Sequence, residues 1–405
     1  MIRNIYVARQ PIFDRHKNIF AYELLFRSGF DNFYDSLDGD YASTRTMLNS
    51  FFLLGMDTIT GGKMAFVNFT RNLLLNEVAT IFPKELLAVE VLENVTADDA
   101  VVASCKKLSK SGYLIILDDF MLKPDYEPLI EVADIIKVDF KLANHGERKK
   151  ILDSIGRNKH KFLAEKVETL DEFNQAKDQG FAYFQGYFFS KPHIVAGASI
   201  PPRKLTYMQI IQEMNSPDME FDLLEHIVKR DMAITYKLLK LINSAAFGLR
   251  TRVQSIRHAL TLLGINEIRK WITFLAMSEM GSDKPDELLI LAMTRAKFGE
   301  IMASKIGMLE READFFLLGM FSMLDAFIDR PIADILEELP ISDEIRDALT
   351  GKDNRFRDAF ELIVAYERAD WTRFSIYAKR LGLNERLAPD IYYNALQWAL
   401  YIFKV

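Results

Sequence analysis

The chain of 405 residues contains a single cysteine, Cys105. An intrachain disulfide is therefore excluded, and a fold held by packing and hydrogen bonds in a reducing cytoplasm is expected. Cys105 falls in a helix-like stretch, Asp98 to Ser111, and reads as a small buried apolar residue. The opening residues, MIRNIYVARQPIFDRHKN, are broken by charges and by Pro11 and contain no signal-peptide core. Long hydrophobic runs are also missing. The longest, Phe315 to Leu324, falls well short of the ~20 residues a membrane span needs, so membrane insertion is not expected. There is no excess of positive charge: 51 Lys and Arg stand against 57 Asp and Glu, a net charge of −6. Such a balance gives no general field for nucleic acid or anionic lipid, and a nucleic-acid partner is not expected. The compositional marks of disorder are absent too, since 49% of residues are hydrophobic and 27% charged. A chain of this length suits two domains of about 200 residues each.

Short apolar runs alternate with amphipathic helical stretches over residues 1–190, the rhythm of βα units around a parallel sheet. Strands are expected near Ile5 to Ala8, Ile19 to Phe26, Met64 to Phe69, Leu86 to Val91, Tyr113 to Asp118, Ile135 to Val138, Phe162 to Ala164 and Ala182 to Tyr187. Between Lys191 and Lys204, Pro192, Gly197, Pro201 and Pro202 suit neither a helix interior nor a central strand. The boundary is placed there, giving a barrel domain over 1–195 and a helical domain over 196–405. In the second, Phe221 to Asn243, Ser255 to Leu263, Asn266 to Met280, Glu287 to Gly307 and Ala313 to Ile328 carry apolar residues at helical intervals. Gly264 separates two of these stretches, Pro331 and Pro340 frame a short helix, and Arg355 to Tyr366, Trp371 to Leu381 and Ile391 to Phe403 complete an all-α bundle.

In the first half nearly every apolar strand run ends in a polar residue. Ala65-Phe66-Val67 leads to Asn68, Leu87-Ala88-Val89 to Glu90, Ile115-Ile116-Leu117 to Asp118 and Asp119, Ile135-Ile136 to Lys137, Leu163-Ala164 to Glu165, and Tyr183-Phe184 to Gln185; Glu23 is set similarly in Tyr22-Glu23-Leu24-Leu25. One strand-end acid is commonly a solvated edge residue. In a (β/α) barrel, however, the C-terminal strand ends converge on one mouth, and these groups would share a pocket. Carboxylates gathered there repel unless a cation neutralises them, and an all-oxygen donor set suits Mg²⁺ or Mn²⁺ better than zinc. Such a site can stabilise charge on a phosphoryl group, with Lys137 adding a positive charge toward phosphate or nucleophile, so phosphodiester hydrolysis is expected. The rival reading of Lys137 as a Schiff-base lysine is disfavoured, because surrounding acids would keep its ammonium protonated.

These motifs resemble those of EAL domains, the cyclic-di-GMP phosphodiesterases, over nearly the whole first domain. Gln10-Pro11-Ile12 is similar to the family's QPI, Glu23-Leu24-Leu25-Phe26-Arg27 to ExLxR, Phe66-Val67-Asn68 to its VN strand and Glu90-Val91-Leu92-Glu93 to ExxE. Asp118-Asp119-Phe120 is similar to DDF, Ile136-Lys137-Val138-Asp139 to IKID, Ala164-Glu165-Lys166-Val167-Glu168 to AEGVE, and Gln185-Gly186-Tyr187 with Lys191-Pro192 to the closing QGY...P. The resemblance implies a TIM-like (β/α)8 barrel with an antiparallel first strand, and Mg²⁺ or Mn²⁺ held by Glu23, Asn68, Glu90 and Asp118, with Asp119 serving a second ion. It further implies Glu165, Lys137 and Glu23 as catalytic residues, Gln10, Arg27 and Gln185 as contacts to cyclic-di-GMP or supports of the site, and Glu93 as loop support; a homodimer is among the assemblies it allows. The sequence also departs from the family. Leu24 replaces the alanine of EAL and Lys166 the glycine of EGVE, both expected to crowd the pocket, and the loop after Asp119 reads Phe120-Met121-Leu122-Lys123-Pro124-Asp125 in place of the glycine-rich run of active members. The alternative reading is a barrel that has lost catalysis and works as a scaffold or sensor.

The helical half resembles HDOD domains, relatives of the HD phosphohydrolases, through Arg230-Asp231-Met232-Ala233, Ile242-Asn243-Ser244-Ala245-Ala246-Phe247 and Ser255-Ile256-Arg257-His258-Ala259-Leu260. An HD hydrolase needs an adjacent His-Asp pair for its metals. Here the chain reads Ser322-Met323 after Leu318-Gly319-Met320-Phe321, and His226 and His258 are the only histidines beyond Pro201. The half is therefore read as a non-catalytic module that binds an unidentified protein partner. Its basic residues, Lys237, Lys240, Arg250, Arg252, Arg257, Arg269 and Lys270, read as solvated helix faces, and the methionines around 277–280 and 320–323 as core.

Overall fold

Eight short runs of apolar residues form strands that close on themselves: β1 (Ile5–Asp14), β2 (Ile19–Ser28), β3 (Met64–Phe69), β4 (Leu87–Val91), β5 (Leu114–Leu117), β6 (Ile135–Asp139), β7 (Lys161–Glu165) and β8 (Tyr183–Gln185). Successive strands pair in order around a closed barrel. β1 runs antiparallel to both its neighbours, β2 and β8, and the other pairs are parallel. The structure, a computed structural model, describes residues 5–28, 56–118, 126–156, 159–191, 202–216, 219–244, 247–249 and 251–404. Asp119, the residues of the altered loop up to 125, Arg250 and the expected domain boundary at 192–201 lie outside them, as does the side chain of Arg27.

All eight expected strands are present. The largest difference is β1, which continues past Ala8 through Pro11 to Asp14. Proline is tolerated there although it donates no hydrogen bond, and the strand holds register with β2 through Pro11 opposite Tyr22 before passing to β8 at Ile12.

The inside of the barrel is layered by strand alternation. One residue from each strand, Ile12, Ala21, Phe66, Ala88, Ile116, Ile135, Leu163 and Tyr183, forms a buried apolar cluster. Residues two apart on a strand face the same way, about 7 Å further along. Two positions beyond the cluster, toward the C-terminal ends of β2 to β8, come Glu23, Asn68, Glu90, Asp118, Lys137, Glu165 and Gln185; on antiparallel β1 the same step backward reaches Gln10. The polar ring is thus the layer above an apolar plug, set by the two-residue period alone. The period also corrects one expectation: Leu24 follows Glu23 on β2, so it lies on the opposite face, fully buried outside the ring rather than crowding it.

Helices around the barrel start at side-chain caps. Asp98 accepts from the Val101 amide ahead of Asp99–Lys110, and capping boxes at Asn144 with Glu147 and at Thr169 with Glu172 open His145–Ile155 and Leu170–Gln179. Cys105 is buried within the first of these, and burial pushes its thiol up to about 11.

The chain divides into two compact units, Met1–Phe188 with Glu367–Ala369, and Phe189–Tyr366 with Asp370–Val405. The second is helical throughout its described residues. Phe221 to Asn243 is two helices, Phe221–Arg230 and Met232–Ile242, because Asp231 leaves helical geometry and its carboxylate caps the amides of Ala233 and Ile234. Gly264 interrupts Ile256–Met280 with a φ of 79°, as expected of the glycine between two stretches. Ala313 to Ile328 is likewise split, into Glu312–Phe321 and Leu324–Ile328. Helices Asp286–Lys305 and Glu312–Phe321 approach so closely at Gly319 that a Cβ there would fall 2.3 Å from the Ala296 nitrogen. Met277, Met280, Met320 and Met323 are core, as expected. Lys270 departs from the expected solvated face: it is buried.

Candidate active site

The polar ring closes on one ammonium. Lys137, 1% exposed, reaches Asp118 Oδ1 and Glu165 Oε1 at 2.8 Å each and Glu23 Oε2 at 3.4 Å, and is paired with Glu90 Oε1 as well. Gln185 Nε2 donates to Glu23 Oε2 at 2.6 Å and to Gln10 Oε1 at 3.1 Å, tying both ends of the sheet to the ring. Asn68 stands in register with Glu90 on the adjoining strand. Gly186 makes the placement of Gln185 feasible, since at its φ of 142° a Cβ would lie 2.0 Å from the Val167 carbonyl oxygen. Only glycine allows β8 to end against the residues after β7, where the Val167 amide donates to the Gln185 carbonyl at 2.9 Å.

Four carboxylates share a single cation, and burial exacts the consequence. Burial, opposed by Lys137 and reinforced by Glu23, Asp118 and Glu165, holds the Glu90 carboxyl well above the usual range. Burial likewise pushes Glu165 up to about 8, against Lys137 and together with Asp118 and Glu23. Burial disfavours the charge on Lys137, but Glu165, Glu23, Glu90 and Asp118 outweigh it and hold the ammonium well above its ordinary value. A lysine so held is not the free amine a Schiff base requires.

Several acceptors in the ring remain unmatched. Asn68 Oδ1, Glu90 Oε2, Glu165 Oε2 and Gln185 Oε1 are buried with no hydrogen-bond partner. A buried acceptor left this way costs about 1–3 kcal/mol, so four in one pocket point to an absent donor or cation. All are oxygens, the donor chemistry of a hard divalent ion, so the residues fit Mg²⁺ or Mn²⁺. Among the described residues no three His, Cys, Asp or Glu side chains already stand in ion-holding geometry; the carboxylates close on Lys137 instead.

Of the expected site residues, the structure brings together Glu23, Asn68, Glu90, Asp118, Lys137, Glu165, Gln185 and Gln10. Glu93 is not in the ring: it is exposed, and its carbonyl accepts from the Tyr126 hydroxyl at 2.8 Å. Asp119 and the Arg27 side chain lie outside the described residues. The sequence reading missed Asp139. It is buried, lies two residues beyond Lys137 on the same face of β6, and stands in register with Glu165. The alternation that found Lys137 could have found it.

In the helical half Ser322 and Met323 occupy the place of an HD pair; the Ser322 hydroxyl donates to the Gly319 carbonyl and accepts from Arg295, and Met323 is buried. His226 is exposed and His258 half-buried. A surface cavity of about 830 Å³ is lined by Tyr236, Leu239, Lys240, Asn243 and Arg252. Among the described residues no helix is long and apolar enough to cross a membrane.

Family comparisons agree with both halves. Residues 59–192 match the EAL domain and residues 200–328 the HDOD domain. Two relatives extend the match to nearly the whole chain. YuxH of Bacillus subtilis, an uncharacterized protein, is 37% identical over 402 residues, covering 97% of this chain and 98% of its own. The chain belongs to the EAL–HDOD family. The second relative of this EAL–HDOD protein, the cyclic di-GMP phosphodiesterase CdgJ of Vibrio cholerae, is 34% identical over 97% of the chain and 92% of its own. Among solved structures, a manganese and cyclic-di-GMP complex of BlrP1 from Klebsiella pneumoniae covers 46% of the chain and 55% of its own at 21% identity, with a TM-score of 0.38.

Proposed function

We propose that the barrel mouth binds cyclic di-GMP around Mg²⁺ or Mn²⁺ and hydrolyses one phosphodiester bond to give the linear dinucleotide pGpG. The observation that carries this reading is the ring itself, four carboxylates against one ammonium with buried oxygens lacking partners. Glu23, Asn68, Glu90 and Asp118 would hold the ion, which when bound supplies positive charge to the phosphoryl group and lowers the cost of forming the nucleophile. Lys137, kept protonated by its neighbours, holds positive charge beside the scissile phosphate. Glu165, with Oε2 lacking a partner, accepts the proton of the attacking water. Gln185 orients Glu23, and Gln10 and Arg27 contact the nucleotide. The name of the relative CdgJ supports the choice of substrate. The HDOD half acts as a non-catalytic module for a protein partner, for which the exposed Phe221, Leu223, Met232 and Tyr236 are candidate contacts.

The test incubates the full chain with cyclic di-GMP and Mn²⁺ and follows pGpG by chromatography, beside Glu23→Ala and Glu165→Ala. Turnover by wild type and loss of at least about 100-fold in both variants are expected. Binding without pGpG would reduce the reading to a receptor, and absence of binding would overturn it.

A further inference from the structure

Lys166, directly after β7, adopts a φ of 55°. That left-handed conformation favours glycine and is strained for a long side chain, and glycine is what the EGVE motif places there. A lysine held at such a position calls for a compensating contact, and it has one: its ammonium pairs with Oδ2 of Asp139. The other oxygen of Asp139 accepts the Lys141 amide at 2.6 Å and the Leu142 amide at 3.1 Å, so this carboxylate is fixed in place while 5% exposed. Further out, Lys141 pairs with Glu168. The chain after β6 and the chain after β7 are thus joined by two lysine–carboxylate bridges, each lysine answering an acid of the other strand's end.

Asp139 stands in register with Glu165, whose Oε2 is buried with no hydrogen-bond partner. Without Lys166, this side of the mouth would present two adjacent carboxylates with an unmatched oxygen, a donor set for a hard cation. We propose that Lys166 is a tethered cation that takes the place of a divalent ion beside Asp139, so that this mouth binds one divalent ion and not two. The inference rests on the divalent-ion reading of the ring and concerns only how many ions it takes. Lys166 is a positioning residue: it fixes Asp139 and the local charge.

The test counts bound Mn²⁺ on the full chain, by the electron paramagnetic resonance signal of free Mn²⁺ and by calorimetry, with no nucleotide present. Wild type is expected to bind about one equivalent. Lys166→Gly and Lys166→Met are each expected to bind about two, the first removing strain and charge together and the second charge alone. Lys166→Arg keeps one, and Asp139→Asn added to Lys166→Gly returns the count to one. The glycine variant has relaxed backbone geometry, so its melting temperature without metal should equal or exceed that of wild type. Two ions on wild type, or one ion on both the glycine and methionine variants, would overturn the proposal while leaving the divalent-ion reading intact. No ion on any form would remove that reading and this proposal with it.

Discussion

Both halves of the molecule bury charged side chains, and they do so in opposite ways. In the helical half the charges come matched: Lys270 lies between Glu267 and Glu300, Glu300 also meets Lys297, and Glu279 is shared by Arg203 and Lys237. Burial raises the carboxyl of Glu300, but Lys297 and Lys270 outweigh it and hold it below the ordinary range, and Lys237 and Arg203 do the same for Glu279. In the barrel the carboxylates outnumber their one cation, and Glu90 and Glu165 move the other way. A matched buried cluster is complete and structural. An unmatched one is complete only when something else arrives, which is how a binding site is recognised from its charges.

The comparison can be broken most forcefully at Lys137. Lys137→Met leaves buried carboxylates with no cation and should cost about 4 kcal/mol in urea unfolding of the metal-free chain at neutral pH, part of it restored by millimolar Mn²⁺. A loss under about 1 kcal/mol would mean the carboxylates neutralise themselves by taking up protons. Next comes the same substitution made in each half. Glu300→Gln removes a partner of two lysines and should cost about 2 kcal/mol, with no response to Mn²⁺. Glu90→Gln removes surplus negative charge and should leave the metal-free chain as stable as wild type or more so, yet abolish the rise in melting temperature that Mn²⁺ gives wild type. Equal destabilisation by both would erase the distinction drawn between the halves.

The smallest effect is on pH dependence. Glu165 carries its proton in the folded metal-free chain up to about 8 but loses it near the model value of 4.5 when unfolded. Between those values the folded form binds more protons, so the barrel loses stability as pH rises through this window. For Glu300 and Glu279, held low, the stabilisation is present above 4.5 and lost only as pH falls through their depressed values. Hydrogen exchange in chelator at pH 6 and pH 8.5 should show faster opening of β4 and β7 at the higher pH, after correction for intrinsic exchange, and no such change in the helices around Glu300.

The expected features and the missed ones differ in range. Strand positions and the polar ring were legible because both follow from a two-residue period within a few neighbours: each of Glu23, Asn68, Glu90, Asp118, Lys137, Glu165 and Gln185 closes its own apolar run. The breaks at Asp231 and before Leu324 were passed over because apolar spacing continues across them while a cap or a turn ends the helix. Lys166 was read as a bulky replacement for glycine. Its partner lies 27 positions away, where no local pattern reaches.

What the chain determined by itself was the alternation that raises a polar layer over an apolar plug, since strand geometry fixes which side chains share a face whatever lies beyond. Only closure of the barrel decided that Lys137 would stand among four carboxylates, that Leu24 would face outward and that Lys166 would meet Asp139. Those outcomes depend on distances between strands remote in sequence, and such distances exist only once the sheet has curved round to join its first strand to its last.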